Sequence, residues 1–189
     1  MSGAPSPFRE GGRLWKPVNY AILQGAWFGC VLGAAAGATW IAWLSGAAAL
    51  ALHFALLRDR RSDVRVVAAA VATGAVTDSI LRAAGVFDAP GDVLPSPFPV
   101  TWLLLLWAVF GTSVRHCMGW LRGRLALAVV FGAIGGPLSL MGGARLGAVA
   151  LASDTRLVWL GVGLQWAVAM PLLVAVGERA TSPSSRRAP

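Results

Sequence analysis

The chain has 189 residues, of which 57% are hydrophobic even before its 23 glycines are counted, and only 13% are charged. A soluble domain has roughly 45–50% apolar residues, glycine included, and about 25% charged residues, so this composition excludes an ordinary soluble protein. The net charge of +8 does not indicate nucleic-acid binding, because that function needs a basic face on a soluble fold.

Six apolar runs follow one another along the chain, each close to the ~20 residues that a membrane-spanning helix needs. They cover approximately residues 17–38, 40–57, 66–84, 100–118, 125–141 and 157–176. Because lipid offers no water to unpaired backbone groups, we predict six helices in one transmembrane domain, residues 17–176. The polar segments 1–16 and 177–189 are predicted to be disordered cytoplasmic tails. The proline-rich segment 88–99, between the third and fourth runs, is predicted to be a non-helical loop.

The basic residues fall almost entirely on one side of this six-span arrangement. Thirteen of the 16 lie in the two tails and in the second and fourth connections: Arg9, Arg13, Lys16, Arg58, Arg60, Arg61, Arg65, Arg115, Arg122, Arg124, Arg179, Arg186 and Arg187. The other side has only Arg82, Arg145 and Arg156. Basic residues near span ends favour the cytoplasmic side, so we predict an all-α, six-span protein of the bacterial inner (cytoplasmic) membrane with both termini cytoplasmic.

Glycine and proline have a distinct pattern in two of the runs. Glycine recurs at every fourth position of the first run, at Gly25, Gly29, Gly33 and Gly37. Such spacing favours close helix packing in lipid, and the alternative is a cleft for a lipid or substrate chain. In the fifth run, Pro137 follows several glycines and predicts a kink. A kinked helix is a common packing feature, but it can also mark a transport site.

Ionisable residues within the apolar runs are informative because each is costly in lipid unless it is paired. Asp78 lies ~18 Å along a helix from Val66, in the outer half of the membrane, and Arg82 follows one turn later. We predict that these two residues pair and that Arg145 approaches the same level. Two interpretations stay open: a buried ion pair that fixes helix register, or an outer pocket for an anionic headgroup or a proton.

A second set of polar residues is predicted at the inner level of the membrane. It consists of Gln24, His53, Thr112, Arg115 and His116, with Asn19 nearby. Hydrogen bonds between helices, with an arginine that reaches the lipid phosphates, would explain this set. The alternative is a headgroup-binding or catalytic pocket.

The motifs of several membrane enzymes are missing from the sequence. Two histidines and two cysteines cannot form a histidine-rich di-iron site, and no His-Glu-x-x-His motif supports a zinc protease. Neither a nucleophile motif of the rhomboid type nor a phosphate-binding loop is present. We therefore predict no metal site and no cofactor.

Several segments together resemble a known family. They are Asn19 with Gln24 to Ala34, Asp78-Ser79, His116 to Leu121, Gly135 to Leu138 and Gly143 to Ala148. This set resembles a bacterial family of small polytopic membrane proteins known only as domain of unknown function 2878, over about residues 19–176. The resemblance implies no catalytic residues. Through frequent gene neighbours that encode cyclopropane-fatty-acid-synthase-like methyltransferases, it implies an association with lipid modification.

Three functions from different classes therefore remain open. The first is an accessory or lipid-binding protein in membrane-lipid modification, whose partners are membrane lipids and a lipid-modifying enzyme. The second is a small transporter or flippase, and the third is an intramembrane enzyme, for which the sequence offers no complete acid–base or nucleophile set. Nucleic acid is not expected as a partner.

Overall fold

The computed structural model describes residues 7–181, and this part of the chain forms six α-helices, a pair of two-residue strands and a short 3-10 helix. In chain order they are α1 (Trp15–Ala35), α2 (Thr39–Leu56), α3 (Arg60–Ala83), β1 (Phe87–Asp88), α4 (Thr101–Val114), the 3-10 helix (Gly119–Leu121), α5 (Leu125–Arg145), β2 (Ala150–Leu151) and α6 (Thr155–Thr181). The predicted all-α architecture is confirmed. The proline-rich segment 88–99 contains no helix, as predicted.

Five of the helices, α1, α2, α3, α5 and α6, are long and apolar enough to cross a membrane. These are the helices of a multi-pass membrane protein. The remaining helix, α4, is shorter, and its 14 residues extend only ~21 Å at 1.5 Å per residue. The fourth apolar run does not form one helix to residue 118, because the backbone turns after Val114. There the amide groups of His116 and Met118 donate to the carbonyl of Ser113.

The third helix begins earlier than the apolar pattern predicts. It starts at Arg60, six residues before the run at 66, because Asp59 accepts a hydrogen bond from the Ser62 amide at 3.4 Å and caps the helix. A side-chain acceptor at this position satisfies one of the free N–H groups at a helix start. This early start places Asp63 inside the helix instead of in a loop.

The structured region also extends into both predicted tails. Residues 7–14 pack against the α2–α3 connection, where Glu10 accepts hydrogen bonds from the Arg58 and Asp59 amides at 2.7 and 2.9 Å. At the other terminus α6 continues to Thr181, and the Ala180 carbonyl accepts a hydrogen bond from Ser62 at 2.9 Å. The remainder of the predicted tails, residues 1–6 and 182–189, lies outside the described residues.

The helices pack around α4, which contacts α1, α2, α3 and, less extensively, α6. α6 packs on α3 and α5, whereas α5 packs chiefly on α6. This arrangement leaves a cleft between α1 and α5. A hydrogen bond crosses it, from Trp27 Nε1 on α1 to Ser139 Oγ on α5 at 3.0 Å.

The helix ends form two groups at opposite ends of the bundle. Side-chain contacts join the starts of α1, α3 and α5 to the ends of α2, α4 and α6, for example from the Gly123 amide to Glu178 at 2.7 Å. Most of the described basic residues lie here, so we call this the basic end. At the opposite end β1 pairs with β2 in antiparallel register. The opposite end holds Arg82, Arg145 and Arg156.

Of the four glycines that recur at every fourth position, two lie at a helix interface. A Cβ on Gly29 would lie 2.5 Å from Ser45 Oγ, and one on Gly33 would lie 2.8 Å from the Ala42 nitrogen, so α2 approaches closely at both positions. Gly25 has open space around its Cα, and Gly37 lies beyond α1 in a turn with φ +69°. The repeat of four therefore comprises two packing positions, an open position and a turn.

Candidate functional site

The cleft between α1 and α5 widens inside the bundle into two adjoining cavities of about 110 and 190 Å³. We call the two together the central cleft. Both cavities share the lining residues Leu23, Trp27, Phe110, Gly136, Ser139 and Trp166. The smaller cavity reaches Asp78 and Gln165, and the larger one reaches Gln24. The lining is therefore mostly apolar and aromatic, with a few polar groups at defined positions.

Asp78 is the acidic residue of the central cleft. Its side chain is only 3% exposed and accepts hydrogen bonds from Trp107 Nε1 at 2.9 Å and from Gln165 Nε2 at 2.6 Å. Within residues 7–181, no basic group lies within ion-pair distance of its carboxylate. The structure thus places a carboxylate beside an apolar cavity and surrounds it with neutral donors.

A stacked pair of tryptophans forms one wall of the central cleft. The rings of Trp107 and Trp166 lie 4.4 Å apart and are inclined by only 7°. Two glycines make room for them: a Cβ on Gly74 would lie 2.3 Å from Trp107, and one on Gly136 would lie 2.2 Å from Trp166. This close packing fixes the ring of Trp107 and therefore the N–H group that it directs at Asp78.

The predicted pair of Asp78 and Arg82 is not formed, and this expectation is corrected. Arg82 donates from Nε to Asp88 at 3.0 Å and from Nη1 to the carbonyls of Leu94 and Phe98. The hydrogen bond from Arg82 lowers the pKa of Asp88, which keeps this 56% exposed carboxylate ionised. The long arginine side chain extends towards the end of the bundle, where the loop supplies more acceptors than Asp78 could.

The third predicted member of the outer pocket, Arg145, also lies elsewhere. It is exposed at the end of α5 and forms no ion pair with any described residue. Asp78, Arg82 and Arg145 therefore do not form one pocket. Of the three, only Asp78 lines the central cleft.

A second polar cluster lies at the basic end and is centred on Asp63. This residue is 1% exposed and accepts hydrogen bonds from His53 Nε2 at 2.6 Å, from His116 Nε2 at 2.9 Å and from Arg115 Nη1. Arg115 also lies 3.3 Å from Asp59. The hydrogen bond from Ser62 and the charge of Arg115 lower the pKa of Asp59. We call Asp63, His53, Arg115 and His116 the Asp63 cluster.

The tautomers of both histidines follow from their other partners. Trp15 Nε1, which can only donate, lies 2.9 Å from His116 Nδ1. The amide nitrogen of Asn19 lies 3.3 Å from His53 Nδ1, and the orientation of that amide is fixed because its oxygen accepts from the Cys117 amide at 3.2 Å. Each Nδ1 is therefore an acceptor, so each Nε2 carries a proton and donates it to Asp63.

This arrangement does not fit a metal ion, although ligand atoms of His53, Asp63 and His116 lie within 4.8 Å of one another. A metal on Nε2 requires a lone pair there and leaves the proton on Nδ1, where it needs an acceptor. The N–H of Trp15 cannot accept a hydrogen bond. The donor set instead favours a neutral, hydrogen-bonded network that contains one Asp–Arg ion pair.

The structure brings together three of the five residues predicted for the inner pocket: His53, Arg115 and His116. Thr112 contributes only its backbone carbonyl, which accepts from Asn19 at 3.4 Å, and Gln24 lies apart in the central cleft. Sequence reasoning missed Asp63 as the common acceptor. Part of the signal was present, because a buried arginine needs an acid, and Asp59 and Asp63 are the two acids between the second and third apolar runs.

Two further residues of the central cleft were also missed, Gln165 and Trp107. Gln165 is a lone amide in the sixth apolar run, and Trp107 is one of several tryptophans in the apolar runs. No sequence spacing links either residue to Asp78, since Gln165 lies 87 positions away and Trp107 lies 29. Only the packing of α3 against α4 and α6 joins them.

The cysteine closest to the Asp63 cluster is not an activated thiol. Burial raises the pKa of Cys117 to about 11. A catalytic cysteine needs the opposite shift, because the thiolate is the nucleophile. Cys117 therefore adds no support for an intramembrane enzyme.

Comparison with known proteins gives one match. The model of the family described as Protein of unknown function (DUF2878) matches residues 16–172, which confirms the resemblance found in the sequence. No curated protein and no solved structure matches the chain.

Proposed function

Since the chain belongs to the DUF2878 family, whose description gives no activity, we propose a function from its geometry: it binds a lipid-like amphiphile in the central cleft. The central cleft itself carries this proposal. A concave, mostly apolar cavity with a few convergent polar groups is the usual form of a small-molecule site. Here the polar groups are Asp78 and Gln165 at the inner limit of one cavity and Gln24 in the other.

The proposal includes a membrane setting for the cleft. Six spans in a bacterial inner membrane, with the basic end in the cytoplasm, would leave the gap between α1 and α5 facing the bilayer. A lipid chain could then enter sideways without crossing water. The arginines at the basic end would contact anionic headgroups, since such side chains are attracted to the cytoplasmic leaflet. We propose that the protein's partner is a lipid-modifying enzyme that uses the bound amphiphile.

The test is to fill the cleft and measure the ligand that remains bound. Gly143 lines the smaller cavity, and a Cβ added there would meet only Val31 at 3.9 Å, so Gly143→Leu should fold while it occupies the cavity. The matched control is Gly25→Leu, in α1, where a Cβ has no neighbour within 4 Å and the residue lines neither cavity. Both variants add the same side chain to a transmembrane helix.

We expect mass spectrometry of lipids that copurify in mild detergent to show a retained amphiphile for the original protein and for Gly25→Leu. We expect most of it to be lost from Gly143→Leu. Equal retention by all three proteins would contradict binding in the central cleft, since surface lipids would then account for the signal.

A small transporter or flippase is the second candidate, favoured by the position of α5. This helix packs chiefly on α6, contains Pro137 and meets α1 across the Trp27–Ser139 hydrogen bond. A short, reducible crosslinker between cysteines introduced at those two positions would close the gap. A transporter should lose its phenotype when the crosslink forms and regain it on reduction. An accessory protein loaded before closure should keep its ligand and its enzyme partner.

A further inference from the structure

We propose that the amphiphile carries an ammonium group and that Asp78 and Gln165 recognise this group. This inference rests on the proposed function, because it names the chemical class of the ligand in the central cleft. Its basis is the set of hydrogen-bond donors and acceptors at the end of the smaller cavity.

The first argument is the charge of Asp78. A carboxylate in the apolar part of a membrane protein is costly unless a cation or donors compensate it. Trp107 and Gln165 supply one neutral donor to each carboxylate oxygen. The nearest arginine on α3, Arg82, is committed to Asp88 and to two loop carbonyls. A cationic ligand would supply the missing charge, whereas an anionic headgroup would be repelled.

The second argument is the amide of Gln165, whose side chain is 9% exposed and lines the smaller cavity. Its nitrogen donates to Asp78 at 2.6 Å and to Thr77 Oγ1 at 2.7 Å. Thr77 in turn donates to the Thr73 carbonyl at 2.8 Å, so its oxygen must accept from Gln165. The orientation of the amide is thereby fixed. Gln165 Oε1 accepts no hydrogen bond from any described residue.

Together these groups form a site of acceptors. Each carboxylate oxygen of Asp78 has a further lone pair, and Gln165 Oε1 has both of its own. A primary ammonium, with three N–H donors and one positive charge, matches acceptors of this kind. The aromatic lining, which includes Trp27, Trp102 and Trp166, adds surfaces that attract cations.

The size of the cavities agrees with such a ligand. The smaller cavity, about 110 Å³, is somewhat smaller than an apolar cavity of about 150 Å³ that holds benzene. It would accommodate an ammonium group with its first few carbon atoms. The adjoining cavity of about 190 Å³ and the gap between α1 and α5 would take the alkyl tail.

The experiment compares three probes with the same tail and different head charges: 8-bromooctylammonium, 8-bromooctanol and 8-bromooctyl sulfate. Each is titrated into the full chain in nonionic micelles. Trp40, Trp120 and Trp159 are exposed to the micelle, so the part of the tryptophan quenching by bromine that Gly143→Leu abolishes reports contact with the cleft. The variants are Asp78→Asn, which removes the charge with little change of shape, and Asp154→Asn, which removes an exposed carboxylate that lines neither cavity.

We expect the ammonium probe to bind the original protein and Asp154→Asn about tenfold more tightly than the alcohol, the factor that one charge-assisted hydrogen bond supports. The sulfate should bind most weakly. Asp78→Asn should bind the ammonium and the alcohol alike. The ranking of the three probes on the original protein is a test that does not require Asp78→Asn to fold.

The outcomes separate this inference from the proposed function. If all three probes quench equally and saturably, the cleft binds amphiphiles but does not select ammonium, and the inference is overturned. The same conclusion follows if Asp78→Asn keeps the tenfold preference. If no probe produces saturable quenching, amphiphile binding in the central cleft is itself contradicted.

Discussion

Two buried aspartates on α3 have opposite electrostatic environments. Asp63, near the start of the helix, contacts an arginine and two histidines, so its charge is neutralised within the protein. Asp78, four turns later, receives only the neutral donors Trp107 and Gln165. Buried charges that are paired with opposite charges serve structure, whereas an incompletely compensated charge beside a cavity is the type of group that binds ligands.

The Asp63 cluster should therefore affect stability in a characteristic way. Asp63→Asn leaves the charge of Arg115 without its buried partner, and such a change typically costs ~3–5 kcal/mol. We expect a large loss of thermal stability in detergent for this variant and for Arg115→Met alone. The double variant should be more stable than Asp63→Asn, because no unpaired charge remains. Additive losses in a double-mutant cycle would contradict the pairing.

At the scale of single residues, the sequence predicts which polar residues are buried more reliably than it predicts their partners. Asp78, His53, Arg115 and His116 stand out as polar residues within apolar runs, and all four lie in buried networks. The spacing of four residues suggested Arg82 as the partner of Asp78, because helical neighbours are all that a single run can reveal. A long arginine side chain can reach the next loop instead, and the sequence gives no measure of that competition.

At the scale of the helix, individual glycines determine how closely two neighbouring helices pack. On α5, Gly132 lies against the backbone of α6, where a Cβ would be 2.2 Å from the Trp166 carbonyl oxygen. A Cβ on Gly135, less than one turn later, would have no atom within 4 Å. Both lie in the glycine-rich part of the fifth run, yet only one lies at the α5–α6 contact.

These two glycines provide a matched pair for measuring helix packing. Gly132→Ala would place a methyl group against backbone atoms that cannot move aside, and overpacking of this kind costs ~1–3 kcal/mol. Gly135→Ala adds the same methyl group in open space. We expect a lower melting temperature in detergent for the first variant and an unchanged or slightly higher one for the second. Similar melting temperatures would show that α5 does not approach α6 as closely as the structure indicates.

The limits of sequence reasoning at this scale appear at the helix ends. Hydropathy gives the number and order of the six helices correctly, because each apolar run is bounded by charged, proline or glycine residues. It overestimates α4, since residues 115–118 were counted with the span although the backbone turns there to direct Arg115 and His116 at Asp63. It underestimates α3 and α6, because the capping by Asp59 and the bond from Ser62 to Ala180 depend on local and tertiary hydrogen bonds.

The whole molecule has a basic end and an opposite end with few basic residues. Arginines from the segment before α1, from the α2–α3 and α4–α5 connections and from α6 meet at the basic end, although they are far apart in the sequence. The opposite end is joined by the β1–β2 pair and by the ion pair of Arg82 with Asp88. Such asymmetry is what the positive-inside rule uses to orient a membrane protein.

A set of reporter fusions tests this orientation. A reporter that is active only in the cytoplasm should work when fused after Arg58 or Gly123, both at the basic end. It should fail after Gly91 or Asp154, at the opposite end. The reverse pattern would show that the basic end lies outside the cytoplasm. Activity after Gly91 together with Gly123 would mean that the short helix α4 does not span the membrane, and the six-span topology would be lost.

The last prediction concerns the cell and follows from the small number of polar groups inside the bundle. The central cleft contains Asp78, Gln165, Gln24 and Ser139, which are too few for an aqueous path across ~30 Å of hydrocarbon. We therefore expect deletion of the gene to change the acyl-chain or headgroup profile of the membrane lipids without abolishing uptake of a soluble nutrient.

Comparative lipid mass spectrometry can measure that change in the deletion strain and in strains that carry the gene, Gly143→Leu or Gly25→Leu. The gene and Gly25→Leu should restore the original lipid profile, and Gly143→Leu should not, because the filled cleft cannot hold the amphiphile. If the lipids are unchanged under conditions where the gene is expressed, the lipid function is wrong. The transporter then becomes the better explanation of the cleft, since the gap between α1 and α5 would serve passage through the protein and not retention of a lipid.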